Sequence, residues 1–215
     1  MELKRADQIA DALEKLVFQG EYENGQRLDE IKLARHFNVS RTPVREALQK
    51  LVMSGMAEQI PRRGVFVRQP GPVELLEMFE TMAELEAACG RLAAVRMSDA
   101  GLDSLEQANE RCNQAVKRDD AAGYYLENEA FHQEIYRGAV NTFLENETLR
   151  LQHRLKPYRR VQLLFRGRMD QSLDEHKAIV DALRAGDSAL AAKTLRDHVT
   201  VQGEKFQRLM AELKH

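Results

Sequence analysis

Leu33-Ala34-Arg35-His36-Phe37-Asn38-Val39-Ser40-Arg41-Thr42-Pro43-Val44-Arg45-Glu46-Ala47-Leu48 is the stretch whose reading decides the fold. Leu33, Ala34 and Phe37 keep a helical period, and Asn38-Val39 makes a tight turn. Ser40 then stands where an N-cap belongs, because its hydroxyl can accept a free backbone N–H. Pro43 lies in the first turn, where its missing N–H costs little. Val44, Leu48, Leu51 and Val52 form the apolar stripe of this helix, and Ser54-Gly55 closes it. The pattern predicts two helices joined by a tight turn.

Upstream, Ile9, Leu13, Leu16 and Val17 share one helical face, which ends at Gly20 and Glu23-Asn24-Gly25. Downstream the period changes. Ala57-Glu58-Gln59-Ile60 and Val65-Phe66-Val67-Arg68 read as short strands around the basic turn Pro61-Arg62-Arg63-Gly64. Helix, short helix, tight turn, helix and hairpin make a winged helix-turn-helix over residues 1–70. Pro70-Gly71-Pro72 marks its end.

Residues 71–215 keep a helical period throughout. Six helices are expected, near 72–97, 99–118, 120–140, 143–166, 170–185 and 187–213. Ser172-Leu173-Asp174-Glu175 matches a capping box, and Pro157 is placed to kink the fourth of these helices. The fold class is therefore mostly α, a winged helix-turn-helix followed by an all-α bundle of about six helices.

Charge separates the two parts. Of 215 residues, 32 are Lys or Arg and 34 are Asp or Glu. Residues 1–70 hold 12 of the basic and 10 of the acidic ones, so the remainder is net acidic. Between 32 and 68 there are eight basic residues against Glu46 and Glu58, an electrostatic footprint for a polyanion. No apolar run approaches the roughly 20 residues of a membrane span. The first residues lack the apolar core of a signal peptide. Two cysteines, Cys89 and Cys112, make no disulfide framework, so a cytoplasmic protein with ordinary thiols is expected.

In a helix-turn-helix the start of the second motif helix meets the base edges. Arg41 and Arg45 are four apart and point from one face, and an Arg fork matches guanine bidentately. Ser40 and Thr42 suit phosphate oxygens, and Arg62 and Arg63 extend the wing toward an adjacent groove or backbone. The alternative is that Arg45 pairs with an acid and the Arg-Arg turn serves only solubility.

The stretch 33–48 together with Arg62-Arg63-Gly64-Val65-Phe66-Val67 resembles the GntR family of bacterial transcriptional regulators. The resemblance implies DNA contacts from Ser40, Arg41, Thr42, Arg45, Arg63 and Gly64. Some members use an Arg early in the preceding helix, where this chain has Ile31, and Arg35 is the candidate substitute.

The helical part carries Asn128 and His132 on one helix, His176 on a second and His198 on a third. Bundles build metal sites from inward-facing side chains on different helices, and imidazole suits Zn, Ni, Cu or Fe. A lone helical His is also an ordinary core residue. Residues 72–213 resemble the FCD effector domain of the FadR-type GntR subgroup. That resemblance implies a divalent metal, Zn or Ni, held at the Asn128/His132/His176/His198 pattern. Members more often have Asp where this chain has Asn128. An amide with three neutral imidazoles brings no charge, which implies weaker metal retention and a stronger pull on an anionic effector.

Some members also carry an Arg where this chain has Met82, as a clamp for an effector carboxylate. The implied effector here is different or more apolar, unless Met82 is plain core. A second basic cluster, Arg150, Arg154, Lys156, Arg159, Arg160, Arg166 and Arg168, supplies other candidates. Arg159 or Arg160 would clamp a carboxylate bidentately, or else pair with acids of neighbouring helices.

The function implied is a homodimeric, non-enzymatic regulator that binds double-stranded operator DNA. A repressor released by a small carboxylate at or near the metal is the leading form, with no membrane partner. A metal sensor is the alternative. A metalloenzyme is the rival from another class, but the candidate general base Glu129 projects to one side of the His132 direction.

Overall fold

The computed structural model describes residues 5–163 and 165–212. The chain folds as two compact units, Met1–Gly71 and Pro72–His215.

The first unit runs α1 (Arg5–Phe18), β1 (Arg27–Leu28), α2 (Glu30–His36), α3 (Arg41–Met53), β2 (Ala57–Ile60) and β3 (Gly64–Val67). Its core closes between α1, α2 and α3 through Ile9, Leu13, Val17, Leu33, Val44, Ala47, Leu48 and Leu51, all buried. Leu16 and Val52, expected in the apolar stripes, are only half-buried, and Ala47 takes the inward position on α3. The hairpin lies where the period change predicts it, with Ala57 opposite Val67 and Ile60 opposite Gly64. The two-residue strand β1, too short for a periodic signal, adds to the other side of β3 and gives the order β1-β3-β2. Gly64 has φ +112°, a conformation that side chains rarely adopt, and an added Cβ would crowd the Arg27 guanidinium at 3.2 Å.

The second unit is helical throughout its described residues: α4 (Pro72–Arg96), α5 (Asp99–Lys117), α6 (Ala121–Gly138), α7 (Thr142–Gln162), α8 (Arg168–Arg184) and α9 (Ser188–Glu212). Ser98 caps α5 and Asp120 caps α6, each accepting the backbone N–H three residues on. The helix α4 packs closely on α9 because Gly90 brings its backbone near the Ala191 carbonyl, 3.1 Å from where a Cβ would sit. Leu75, Phe79, Met82, Phe131, Ile135, Ile179, Leu195 and Val199 fill the interior. The predicted helices match these spans to within a few residues.

One local prediction fails. Helix α8 starts at Arg168 after Gly167 in the left-handed conformation, so Ser172 is not an N-cap. It is buried inside the helix, and the Glu175 carboxylate serves His198 and Arg168 instead. The α conformation continues through position 157.

Candidate functional site

Two groups of side chains require separate description, one in each unit.

In the first unit Asp29 caps α2 by accepting from the Ile31 and Lys32 N–H groups. That cap sets Glu30 at the first turn, where its Oε2 accepts from Arg41 Nη2 at 2.8 Å and Arg45 Nε at 2.9 Å. Arg41 and Arg45 are therefore brought together as their spacing predicts, and both pair with an acid, as the alternative reading held for Arg45. All three side chains remain partly exposed, at 54%, 57% and 30%. The Arg45 bond uses Nε, which leaves its two terminal nitrogens outside that contact. Glu30 draws its Oε2 proton affinity below the ordinary carboxylate range, chiefly through the Arg41 bond.

Ser40 is the N-cap of α3 by position, but its hydroxyl makes no cap bond. Thr42 and Arg35 are exposed on their helices. In the wing, Arg62 takes the turn with φ 62° and Arg63 lies over the Phe66 ring at 5.6 Å. Glu30 carries no motif signal of its own, because its partners come from a different helix.

In the second unit His132, His176 and His198 converge from α6, α8 and α9, with one ring nitrogen of each within 4.8 Å of the others. All are buried. The His176 ring stacks on Phe131 at 4.0 Å between centroids, which fixes its plane. Asn128 is buried one helical turn before His132.

The neighbouring charged groups assign the tautomers. His198 Nδ1 lies 2.6 Å from Glu175 Oε2, and a carboxylate only accepts, so Nδ1 carries the proton. His132 Nδ1 lies 2.6 Å from Glu86 Oε2 in a charge contact, while Arg159 Nη2 donates to His132 Nε2 at 3.3 Å. Arginine has no acceptor, so His132 Nε2 also presents a lone pair. The two Nε2 atoms are 3.2 Å apart. With both protons on Nδ1 the two Nε2 atoms meet as acceptors, one beside the Arg159 guanidinium and the other beside the Gln202 amide. Neither ring nitrogen of His176 has a hydrogen-bond partner among the described residues.

Burial pushes the proton affinity of His132 down, against the opposing pull of Glu86. Burial pushes His176 well down, helped by His198 and His132. Burial likewise pushes His198 down to about 4, against Glu175. Burial would raise the Glu86 carboxyl, but His132 and Arg159 hold it well below the carboxylate range. Glu86 Oε1 also accepts from the Tyr136 hydroxyl at 2.8 Å and Arg159 Nη1 at 2.9 Å. Arg168, fully buried, reaches Glu175 at 3.0 Å and donates to Gln162 at 2.9 Å.

Neutral imidazoles, lone pairs directed inward and carboxylates behind the opposite ring nitrogens are the donor chemistry of a divalent metal site. Metal–nitrogen bonds of about 2.0–2.1 Å put neighbouring ligands about 3.0–3.4 Å apart, which the Nε2 pair meets. The residues fit the group.

Of the effector candidates, Arg159 joins this cluster. Met82 is wholly buried in the core, and Arg160 is exposed. Much of the second basic cluster pairs with acids, Arg150 with Glu147, Arg154 with Glu74 and Lys156 with Glu129. Glu129, the acid considered as a general base, is thus engaged with Lys156. Burial pushes the Cys89 and Cys112 thiols up to about 12, away from nucleophile chemistry. Glu86 escapes motif reading, yet a signal exists. It falls in phase with Phe79, Met82, Ala83 and Gly90 on the apolar stripe of α4, where a carboxyl needs a buried partner.

Comparison with known proteins places both units. Residues 77–201 match the FCD domain, and residues 5–67 match the bacterial regulatory proteins of the gntR family. The chain is 29% identical over 197 residues to a probable D-xylose utilization operon transcriptional repressor of Paenarthrobacter nicotinovorans, covering 90% of this chain and 85% of that one. It is 27% identical to the transcriptional repressor GlaR of Escherichia coli, covering 91% and 92%. Among solved structures, E. coli McbR/YncC superposes with a TM-score of 0.71 at 24% identity, covering 99% of this chain and 98% of that one, a likeness of fold. The chain belongs to the GntR family of DNA-binding transcriptional regulators, in the FadR-type subgroup whose helical part is an FCD domain.

Proposed function

We propose that this regulator is a homodimeric repressor whose bundle holds a divalent metal and binds a small carboxylate there, releasing operator DNA. The observation that carries the reading is the convergence of three buried imidazoles, two with their Nε2 atoms 3.2 Å apart and the third with no hydrogen-bond partner among the described residues. A buried divalent cation would satisfy all three. His132, His176 and His198 would hold it, with Asn128 one turn away, and it would supply Lewis-acid affinity for an anion.

Charge supports an anionic ligand. Glu86 and Glu175 already balance Arg159 and Arg168, and the imidazoles are neutral. A divalent ion therefore adds two uncompensated positive charges to a buried site, which a carboxylate offsets. Coupling to DNA requires the ligand to bind the two placements of the DNA-binding heads with different affinity. Both relatives above are named as repressors, which supports repression here. A metal acting as the effector itself is the second reading, favoured by the same histidines and distinguished by operator affinity that responds to metal alone.

In the DNA-binding unit, Arg45 with Arg41 reads base edges, Ser40, Thr42 and Arg35 meet phosphate, and Arg62, Arg63 and Gly64 form the wing contact. Arg45→Ala is expected to cost ~1–3 kcal/mol on the cognate operator and to relax discrimination at one base pair. Arg63→Ala is expected to weaken binding evenly across sequences and to lower the salt slope. Fluorescence anisotropy on operator variants measures both, and unchanged binding in the two variants contradicts the contact assignment.

A further inference from the structure

Gln202 stands one helical turn after His198 on α9 and is 1% exposed. Its amide Nε2 lies 2.9 Å from His198 Nε2. Its Oε1 is buried and has no hydrogen-bond partner among the described residues. A carbonyl oxygen left without a partner in the interior costs free energy, so this placement leaves something to be satisfied.

The amide has a second orientation of nearly the same shape. A half-turn about its last bond exchanges nitrogen and oxygen. The oxygen then sits about 2.9 Å from the His198 lone pair, where two acceptors repel unless both bind one cation. That spacing is close to the separation of neighbouring ligands at right angles on an ion with bonds of about 2.1 Å, about 3.0 Å. The His132 Nε2 to His198 Nε2 distance of 3.2 Å falls in the same band.

The chain repeats the arrangement. Asn128 and His132 on α6, and His198 and Gln202 on α9, are both an amide and an imidazole four residues apart on one helix. Two helices thus each offer one amide and one imidazole, and α8 adds His176.

We propose that Gln202 is a ligand of the bundle metal, its side-chain carbonyl oxygen joining His132, His176 and His198. The inference rests on the metal reading above and extends it. The donor set becomes three imidazoles with amide oxygen, wholly neutral. It also raises the coordination number past the three imidazoles without supplying charge, so the ion keeps its full attraction for an anion.

A different role for Gln202 predicts the opposite sign. If its N–H merely donates to His198 Nε2, it competes with the ion, and removing it tightens metal binding. The test is Zn2+ affinity of the full chain, stripped of metal and titrated against a chromophoric chelator. Wild type, Gln202→Leu and Gln202→Glu are compared, with thermal melting of each stripped protein alongside.

Gln202→Leu is expected to weaken Zn2+ binding at least tenfold, and Gln202→Glu to restore it to the wild-type level or beyond. Equal or tighter binding by Gln202→Leu overturns the ligand role. Weak binding by both variants overturns it too, in favour of packing. A variant that melts well below wild type is read through its partner, because Gln202→Glu keeps the size of the side chain. A wild-type chain that binds no Zn2+ removes the metal reading and this inference with it.

Discussion

The DNA-binding unit and the bundle use the same charged side chains in opposite surroundings. Arg41 and Arg45 share one carboxylate while more than half exposed. Arg159 and Arg168 meet theirs at 2% and 0% exposure. At the surface, water screens the pair, so it contributes ~0–1 kcal/mol and gives way easily to a competing anion such as phosphate or a base edge. In the interior an unpaired charge is expensive, so the pair cannot be broken without replacement. One region is built to exchange partners with a polyanion. The other holds a fixed polar centre in the interior.

The contrast is sharpest in Arg159. Arg159→Ala strands the Glu86 carboxylate in the interior, and a loss of about 3–5 kcal/mol in urea unfolding is expected. The corresponding change in the other region, Glu30→Ala, is expected to cost less than about 1 kcal/mol. Equal losses would erase the distinction.

Acid separates the regions next. The native bundle refuses protons at His132, His176 and His198, while the unfolded chain accepts them near 6.5. The unfolded state therefore binds more protons, and stability rises with pH across this window and falls as pH drops from 6.5 toward 4. His198 alone, pushed to about 4, implies a loss of ~2 kcal/mol between pH 7 and pH 5. Below that, the depressed Glu86 and Glu175 carboxyls add loss in the same direction. In the DNA-binding unit Asp29 and Glu30 are also lowered, and they titrate below this window. Hydrogen exchange on the full chain at pH 7 and pH 5 should show lost protection in α6, α8 and α9 and little change in α1 to α3.

The smallest effect is at Ser40. Its hydroxyl makes no cap bond, so Ser40→Ala is expected to change stability by less than ~0.5 kcal/mol. Operator affinity should fall instead, evenly across sequences. A loss of stability without a loss of affinity would make Ser40 a capping residue and nothing more.

These differences also explain what the sequence discloses. The DNA-binding unit is written in consecutive residues, because a turn, a cap position and two arginines on one face all lie between Leu33 and Leu48. Glu30 is missed there because its partners come from another helix. In the bundle, helix spans follow from periodicity, while His132, His176 and His198 stand out from the other histidines only through the family resemblance. Their carboxylate supports do not stand out, since Glu86 and Glu175 look like any of the chain's 34 acids until α4 and α8 are packed. Glu175 is misassigned for the same reason, because Ser172 to Glu175 satisfies a local capping pattern that the tertiary contact to His198 overrides.

The most direct test is the metal content of the untagged chain by elemental mass spectrometry, beside His176→Ala. His176 has no hydrogen-bond partner among the described residues, so its removal breaks no hydrogen bond there, although it does remove the ring stacked on Phe131. About one divalent ion per chain, lost in the variant, is the expected result. No metal in either protein, or an ion retained by His176→Ala, would contradict a metal centre at the three histidines.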